Sequence, residues 1–367
     1  MVNQSSTMRI VITGGGTGGH VFPAIAVAHE LSKRDPPVHV VYIGKKAGLE
    51  QRVAASAGIE FHPIVAAGWA GVSLFRKLLA VLKLVVGFVQ AFVALVRVRP
   101  RAILGTGGYV SFPVVAAAAL LRIPTVIHEQ NRCPGLANKI LSRFVRLIAT
   151  TYEDETGFFP PAKCRLTGMP LRGDILEQAG TRASPELFSL DPSRRTLLLL
   201  GGSQGAHSLN VAMTDAMNLL DPDRYQVLFM TGKDDLELVR ERAARSPMGS
   251  YVTDFFNDIA KAYAATDLII CRAGASTLAE ITLFSLPSIL VPYPYAAGGH
   301  QEANSKAMVE AGAAKMVPDK DLDGEKLAVL IDEIVGNPLL FESMRGNSRA
   351  LARPHAAREI VALFLPP

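Results

Sequence analysis

The stretch MRIVITGGGTGGHVFPA, residues 8–24, decides the fold. Met8 to Thr13 is a short β-branched run, Gly14 to Gly19 is a glycine-rich turn, and Phe22-Pro23-Ala24 opens a helical pattern that continues to Leu31. Strand, glycine loop, helix is the order. Further strands are expected at Val38 to Ile43, Arg101 to Leu104, Thr125 to His128 and Arg146 to Thr150, with helix-like segments between them. Such alternation implies right-handed crossovers and a parallel, doubly wound sheet.

The same grammar restarts at Thr196 to Leu200 (TLLLL), runs into Gly201-Gly202-Ser203-Gln204-Gly205 and opens a helix near His207. Later strands are expected at Gln226 to Met230, Asp267 to Cys271, Ser288 to Val291 and Lys315 to Val317. Glycine and proline in Leu166-Thr167-Gly168-Met169-Pro170 close the first series, which places Arg172 at a hinge. The expectation is an α/β protein of two Rossmann-like doubly wound domains facing a cleft. The first spans residues 1–171 and is joined by a C-terminal helix within 352–367; the second spans 172–351.

Composition narrows the function classes. Of 367 residues 49% are hydrophobic and 19% charged, which excludes disorder and supplies a large core. The 38 Lys and Arg against 33 Asp and Glu leave a net charge of +5, and one Trp offers little base stacking, so no nucleic-acid partner is expected. Cys133, Cys164 and Cys271 are far apart and form no metal-ligand spacing, which reads as a reduced chain without structural zinc. The polar N-terminus lacks a signal-peptide pattern, so secretion is not expected.

Leu74 to Val98 is the most apolar segment, interrupted by Arg76, Lys77, Lys83 and Gln90. Its uninterrupted runs fall short of the ~20 residues of a spanning helix. Leu74 and Phe75, with Arg76, Lys77, Lys83 and Arg97, suit a helix docked on an anionic membrane surface. A helix buried against the sheet produces the same hydrophobicity.

Gly14, Gly16 and Gly19 satisfy GxGxxG after a first strand, where backbone N–H groups and a helix N-terminus hold a diphosphate. The second strand ends in Gly44-Lys45-Lys46 rather than in the acidic residue that grips a dinucleotide ribose, which disfavours NAD and weakens NADP. Gly105-Thr106-Gly107-Gly108 and the Gly201 loop repeat the feature without the GK[ST] ending of an ATP-cleaving loop. Each domain is therefore expected to bind one diphosphate-bearing ligand.

The blocks GGGTGGHVFPA (14–24), GTGGYVSFP (105–113), HEQN (128–131), PGLAN (134–138), GMPLR (168–172), GGSQGA (201–206), CRAGASTLAE (271–280) and HQEAN (300–304) together resemble the MurG family of peripheral-membrane N-acetylglucosaminyltransferases. The resemblance implies a GT-B fold and transfer of GlcNAc from UDP-GlcNAc to the MurNAc 4-hydroxyl of undecaprenyl-diphospho-MurNAc-pentapeptide (lipid I). It implies no metal or other cofactor, a peripheral place on the cytoplasmic face of the inner membrane, and other cell-wall synthesis proteins as partners. A UDP-GlcNAc 2-epimerase of the same fold is the alternative, and a non-catalytic NADP-binding or scaffold protein a third class.

An inverting displacement needs a base and a stabiliser for the leaving diphosphate. His20, ending the first glycine loop, is the leading base, with His128 and Glu129 as alternates; the competing role for His20 is to hold the acceptor diphosphate. Gly14, Gly15, Gly16, Gly107, Gly108 and Tyr109 make up the acceptor-diphosphate set. Thr17 offers its hydroxyl on the acceptor side and is also placed with Gly18, Gly19 and Asn131 among donor contacts. The helix start at Ala275-Ser276-Thr277, continuing through Leu278 and Ala279, is expected to hold the donor diphosphate with Ser203 and Arg172. By the resemblance Glu280 takes the ribose hydroxyls. Gln301 and Asn304, three apart on one helix face, present amides to the sugar. Phe256 lies near uracil or in the core.

Overall fold

The computed structural model describes residues 8–67, 74–155, 157–202 and 204–365, and for 74–80 the backbone alone. The chain divides into two compact units after Arg172; the second ends at Ala352, and the residues from Arg353 belong to the first. Each boundary lies one residue beyond the sequence expectation.

The first unit holds β1 (Met8–Thr13), β2 (Val38–Lys45), β3 (Glu60–Ile64), β4 (Ala102–Gly105), β5 (Thr125–Glu129), β6 (Leu147–Thr150) and β7 (Cys164–Leu166). They form one parallel sheet in the order β3-β2-β1-β4-β5-β6-β7. Its helices are α1 (Gly18–Ser32), α2 (Leu49–Ser56), α3 (Leu74–Val98), α4 (Gly108–Leu120) and α5 (Leu136–Leu141). Strand alternation sends Ile10 and Ile12 to one face, packed with Val27 and Leu31 of α1, and Val11 to the other, packed with Leu95 of α3 and Val114 of α4. Both faces are covered, as an all-parallel sheet requires.

The second unit repeats the plan. β8 (Arg195–Leu200), β9 (Tyr225–Met230), β10 (Gly249–Thr253), β11 (Leu268–Cys271), β12 (Ser288–Leu290) and β13 (Ala314–Met316) pair in the order β10-β9-β8-β11-β12-β13, all parallel. Its helices are α6 (Gly173–Gln178), α7 (His207–Ala216), α8 (Leu236–Arg245), α9 (Ile259–Ala264), α10 (Ala275–Leu283), α11 (His300–Glu310), α12 (Gly324–Val335) and α13 (Pro338–Ala350). The last helix, α14 (Ala356–Phe364), returns to the first unit, where Ile360, Val361 and Phe364 join the core beneath β1.

Three elements depart from the sequence reading. β3 (EFHPI) and β10 (GSYVT) are edge strands, too mixed in polarity to register as apolar runs. Helix α1 starts at Gly18 rather than Phe22. Pro23 suggests a first-turn proline, yet it sits in the sixth position, as Pro113 does in α4.

Helix α3 answers both readings of the apolar segment. Gly87, Ala91, Ala94, Leu95 and Val98 are buried against the unit, and the Gln90 amide oxygen accepts the Val65 N–H at 2.7 Å just beyond β3. Val81, Leu82, Val85, Val86, Val89, Val93 and Val96 are exposed, Leu82 at 57%. Lys83 and Arg97 are exposed beside them, while the side chains of Leu74, Phe75, Arg76 and Lys77 lie outside the described residues. Against the sequence expectation, Val81–Val98 is long and apolar enough by length and composition to cross a bilayer. Its buried stripe nevertheless packs on the sheet.

Candidate active site

In the first unit the sheet order reverses between β1 and β4, the place where doubly wound sheets open a ligand site at their carboxyl ends. Thr13 and Gly105 pair at the strand ends, and the two following loops press together. A Cβ on Gly14 would fall 1.9 Å from Thr106 Oγ1, and one on Gly108, at φ +77°, would fall 2.2 Å from the Gly15 carbonyl. These glycines are needed for loop-on-loop packing, a constraint separate from the approach of a phosphate. The Tyr42 hydroxyl donates to the Gly14 carbonyl at 2.8 Å, and the buried Glu50 carboxylate lies against Gly15.

The exposed Thr17 is the N-cap of α1 without a side-chain capping bond, so Gly18, Gly19 and His20 form the first helical turn. Gly16 is exposed, and the Tyr109 ring stands beside it. First-turn N–H groups with no intrahelical acceptor suit an anion.

Thr106 grips His20 from both ends. Its hydroxyl donates to the His20 carbonyl at 2.7 Å, and its carbonyl lies 3.0 Å from His20 Nδ1. Gln130 Oε1 lies 3.2 Å from the same ring nitrogen. Two oxygen acceptors require Nδ1 to carry the proton, so the neutral ring keeps its lone pair on Nε2, the form a base needs.

The two alternates are engaged elsewhere. His128 is fully buried; its Nε2 donates to the Gly168 carbonyl at 3.0 Å and its Nδ1 accepts from Gln130 Nε2 at 3.1 Å. Burial pushes its pKa down to about 4, outweighing the bond to Gly168. A ring with both nitrogens spent inward has no lone pair for a substrate. Glu129 is also buried and accepts from the Asn131 N–H at 3.0 Å, the Gly135 N–H at 3.1 Å and Asn138 Nδ2 at 2.8 Å, which fixes the loop after β5. Asn131 is half-buried, with its amide turned toward Glu129 at 3.4 Å. The Arg172 guanidinium lies 5.6 Å from the centre of the Phe22 ring.

In the second unit the reversal falls between β8 and β11. Ser203 lies outside the described residues. Helix α10 begins at Ala275 after Gly274, with no side-chain cap, which leaves the Ala275, Ser276 and Thr277 N–H groups at its positive end. Ala275 and Leu278 are buried, whereas Ser276, Thr277, Ala279 and Glu280 are partly exposed. Glu280 Oε2 accepts from the buried Tyr263 hydroxyl at 2.8 Å.

Three donor-side residues make contacts within their own unit. Gln301 Oε1 accepts the Ala273 N–H at 3.1 Å and the Tyr293 N–H at 2.9 Å, so its oxygen braces the backbone and only its NH₂ is left to point elsewhere. Asn304 is fully buried and donates to the Ala273 carbonyl at 3.3 Å. The two amides thus clamp both polar groups of the residue that leads into α10. Phe256 is buried, stacked on Tyr251 at 6.0 Å and edge-on to Phe188 at 5.8 Å, while its neighbour Phe255 is exposed.

Sequence reasoning passed over Gln130, Thr106 and Tyr263, although Thr106 and Gln130 stand inside the quoted blocks. Their contacts span 110, 86 and 17 residues respectively, and only the placement of Gln130 just past the end of β5, two residues after His128, hinted at a link.

Residues 10–150 match the glycosyltransferase family 28 N-terminal domain and residues 196–360 its C-terminal domain. A UDP-N-acetylglucosamine--N-acetylmuramyl-(pentapeptide) pyrophosphoryl-undecaprenol N-acetylglucosamine transferase of Myxococcus xanthus is 40% identical over 96% of this chain and 91% of its own length. The protein of that name from Bacillus cytotoxicus is 39% identical over 96% and 97%. The crystal structure of Acinetobacter baumannii MurG superposes with a TM-score of 0.81 at 30% identity, covering 97% of this chain and 99% of that one. A UDP-GlcNAc 2-epimerase from Neisseria meningitidis shares the fold at 14% identity and a TM-score of 0.68, covering 98% and 100% of the two chains. With both domains matched and relatives this similar over nearly its full length, the chain belongs to glycosyltransferase family 28, of GT-B fold, among the UDP-N-acetylglucosamine--N-acetylmuramyl-(pentapeptide) pyrophosphoryl-undecaprenol N-acetylglucosamine transferases.

Proposed function

We propose that this chain transfers GlcNAc from UDP-GlcNAc to the MurNAc 4-hydroxyl of lipid I, giving lipid II and UDP with inversion at C1. The observation that carries the mechanism is His20, held with its proton on Nδ1 at the start of α1 beside two joined glycine loops. Its Nε2 takes the hydroxyl proton as the new bond to C1 forms; the bond from C1 to the UDP oxygen breaks, and its electron pair leaves with the diphosphate. The glycine loops of the first unit hold the acceptor diphosphate.

On the donor side the open N-terminus of α10 stabilises the charge that develops on UDP, so the proposed reaction calls for no metal. Glu280, oriented by Tyr263, accepts from the ribose hydroxyls, and the Gln301 NH₂ faces the sugar. Arg172 adds a cation. The test is UDP release from UDP-GlcNAc with and without a lipid I analogue. Strict dependence on the acceptor is expected; turnover of UDP-GlcNAc alone to an epimer would overturn the assignment.

The exposed valine face of α3, with Lys83 and Arg97, supports a peripheral position on the anionic cytoplasmic face of the inner membrane, where the proposed lipid substrate lies. The double variant Lys83→Glu, Arg97→Glu is expected to lose most of its flotation with phosphatidylglycerol vesicles. Undiminished flotation would remove this face as the contact.

A further inference from the structure

We propose that Gln130 is a positioning residue for the transfer, securing the Nδ1–H tautomer of His20 together with the Thr106 carbonyl through a side-chain relay, His20–Gln130–His128, anchored on two backbone carbonyls. The inference rests on the reading of His20 as base. Only one arrangement of protons satisfies the distances. One end of the Gln130 amide lies 2.6 Å from the Thr106 carbonyl and 3.4 Å from the His128 carbonyl, so that end is the NH₂. The other end is therefore Oε1, and its 3.2 Å approach to His20 Nδ1 demands a proton on that nitrogen. His128 closes the far side. Its Nε2 lies 3.0 Å from the Gly168 carbonyl and must be protonated, which leaves Nδ1 as the acceptor for Gln130 at 3.1 Å.

Each link forbids the opposite orientation of the next. If Gln130 turned over, its oxygen would meet the Thr106 carbonyl and its NH₂ would meet a protonated His20 nitrogen. If His128 took the other tautomer, an unprotonated Nε2 would face the Gly168 carbonyl. Gln130 and His128 are both buried, at 2% and 0% exposure, so water cannot stand in for a lost partner. Burial also keeps His128 neutral, which preserves the acceptor at the foot of the relay as the pH falls. Among the described residues, titratable groups near the base include His128 from β5, Glu50 from α2 and Tyr42 from β2 behind the Gly14–Gly15 turn, and Tyr109 from α4 against Gly16. Only His128 is joined to it through Gln130.

The experiment combines ¹⁵N NMR of the ring nitrogens, with the His20 signals assigned by their loss in His20→Ala, and pH profiles of kcat for the full-length enzyme. In the wild type, His20 is expected as the Nδ1–H form and His128 as the Nε2–H form. Gln130→Met, of similar volume without the polar groups, keeps the Thr106 carbonyl on Nδ1 but removes the Gln130 acceptor; it should raise the share of the Nε2–H tautomer of His20 and lower kcat by about tenfold or more, with the UDP-GlcNAc KM changed less than about threefold. Gln130→Glu, as the neutral carboxylic acid, keeps an acceptor facing His20 and an O–H facing the Thr106 carbonyl. It should retain the Nδ1–H form and recover kcat at low pH, then lose it as the pH rises and the carboxyl gives up the proton that faces that carbonyl. An Nε2–H form of His20 in the wild type, or an unchanged tautomer in Gln130→Met, overturns the proposal, as do equal losses in both variants with no pH dependence added by the new carboxyl. A changed tautomer with intact kcat overturns His20 as base and leaves the relay standing.

Discussion

At the end of β4 the backbone is held by a threonine and an imidazole; at the end of β11 it is held by two amides. Thr106 bonds to His20 through both its hydroxyl and its carbonyl, whereas Ala273 is gripped by Gln301 on its N–H and by Asn304 on its carbonyl. Both devices fix a loop at a point where the sheet order reverses. They differ in what they can do next. The first contains an imidazole, which can take up and give back a proton; the second contains no such group and presents an open helix end. In the proposed mechanism this difference corresponds to proton transfer at the first unit and charge stabilisation at the second.

The sharpest way to break this division is His20→Ala. Turnover is expected to fall by roughly 10²–10⁴-fold while the UDP Kd stays within about twofold. An equal loss of UDP affinity would make His20 part of the donor site and erase the contrast.

The next effect is on stability and distinguishes a buried neutral histidine from a surface one. His128 is neutral in the fold down to about pH 4, while in the unfolded chain it takes up a proton below about pH 6.5. Its contribution is therefore complete above pH 6.5 and is lost as the pH falls from there to about 4, by up to about 3 kcal/mol. Denaturant unfolding of the wild type should decline by that order relative to His128→Gln across this window. A constant difference between the two would mean that the histidine titrates alike folded and unfolded.

The smallest effect tests the second unit. Glu280→Ala should weaken UDP-GlcNAc by roughly tenfold, the scale of a charge-assisted hydrogen bond, with little change in acceptor KM. Tyr263→Phe should follow in the same direction by less. Losses shared equally between donor and acceptor would contradict the ribose role.

What the sequence revealed, and what it hid, divides along physical lines. Central strands such as β8, where Thr196 to Leu200 are all buried, announce themselves as apolar runs because both faces are covered. The edge strands β3 and β10 do not, since only Ile64 of β3 and no residue of β10 is fully buried. In the site, the position of His20 follows from the glycine loop before it. The partners that set its proton do not, because Thr106 and Gln130 reach it across 86 and 110 residues. Gln301 and Asn304 show a subtler limit. Their spacing of three correctly places them on one helical face, but periodicity cannot say whether that face meets ligand or backbone. In this fold it meets the Ala273 peptide.

Helix α14 sets the order of assembly against the order of synthesis. The sheet that carries His20 is translated first, yet one of its faces is completed only by Ile360, Val361 and Phe364, which follow the entire second unit. On the ribosome the second unit can close before the first is finished. A chain cut after Ala352 would therefore show its damage at the opposite end of the sequence: loss of cooperative melting in the first unit, with the second unit unfolding as before.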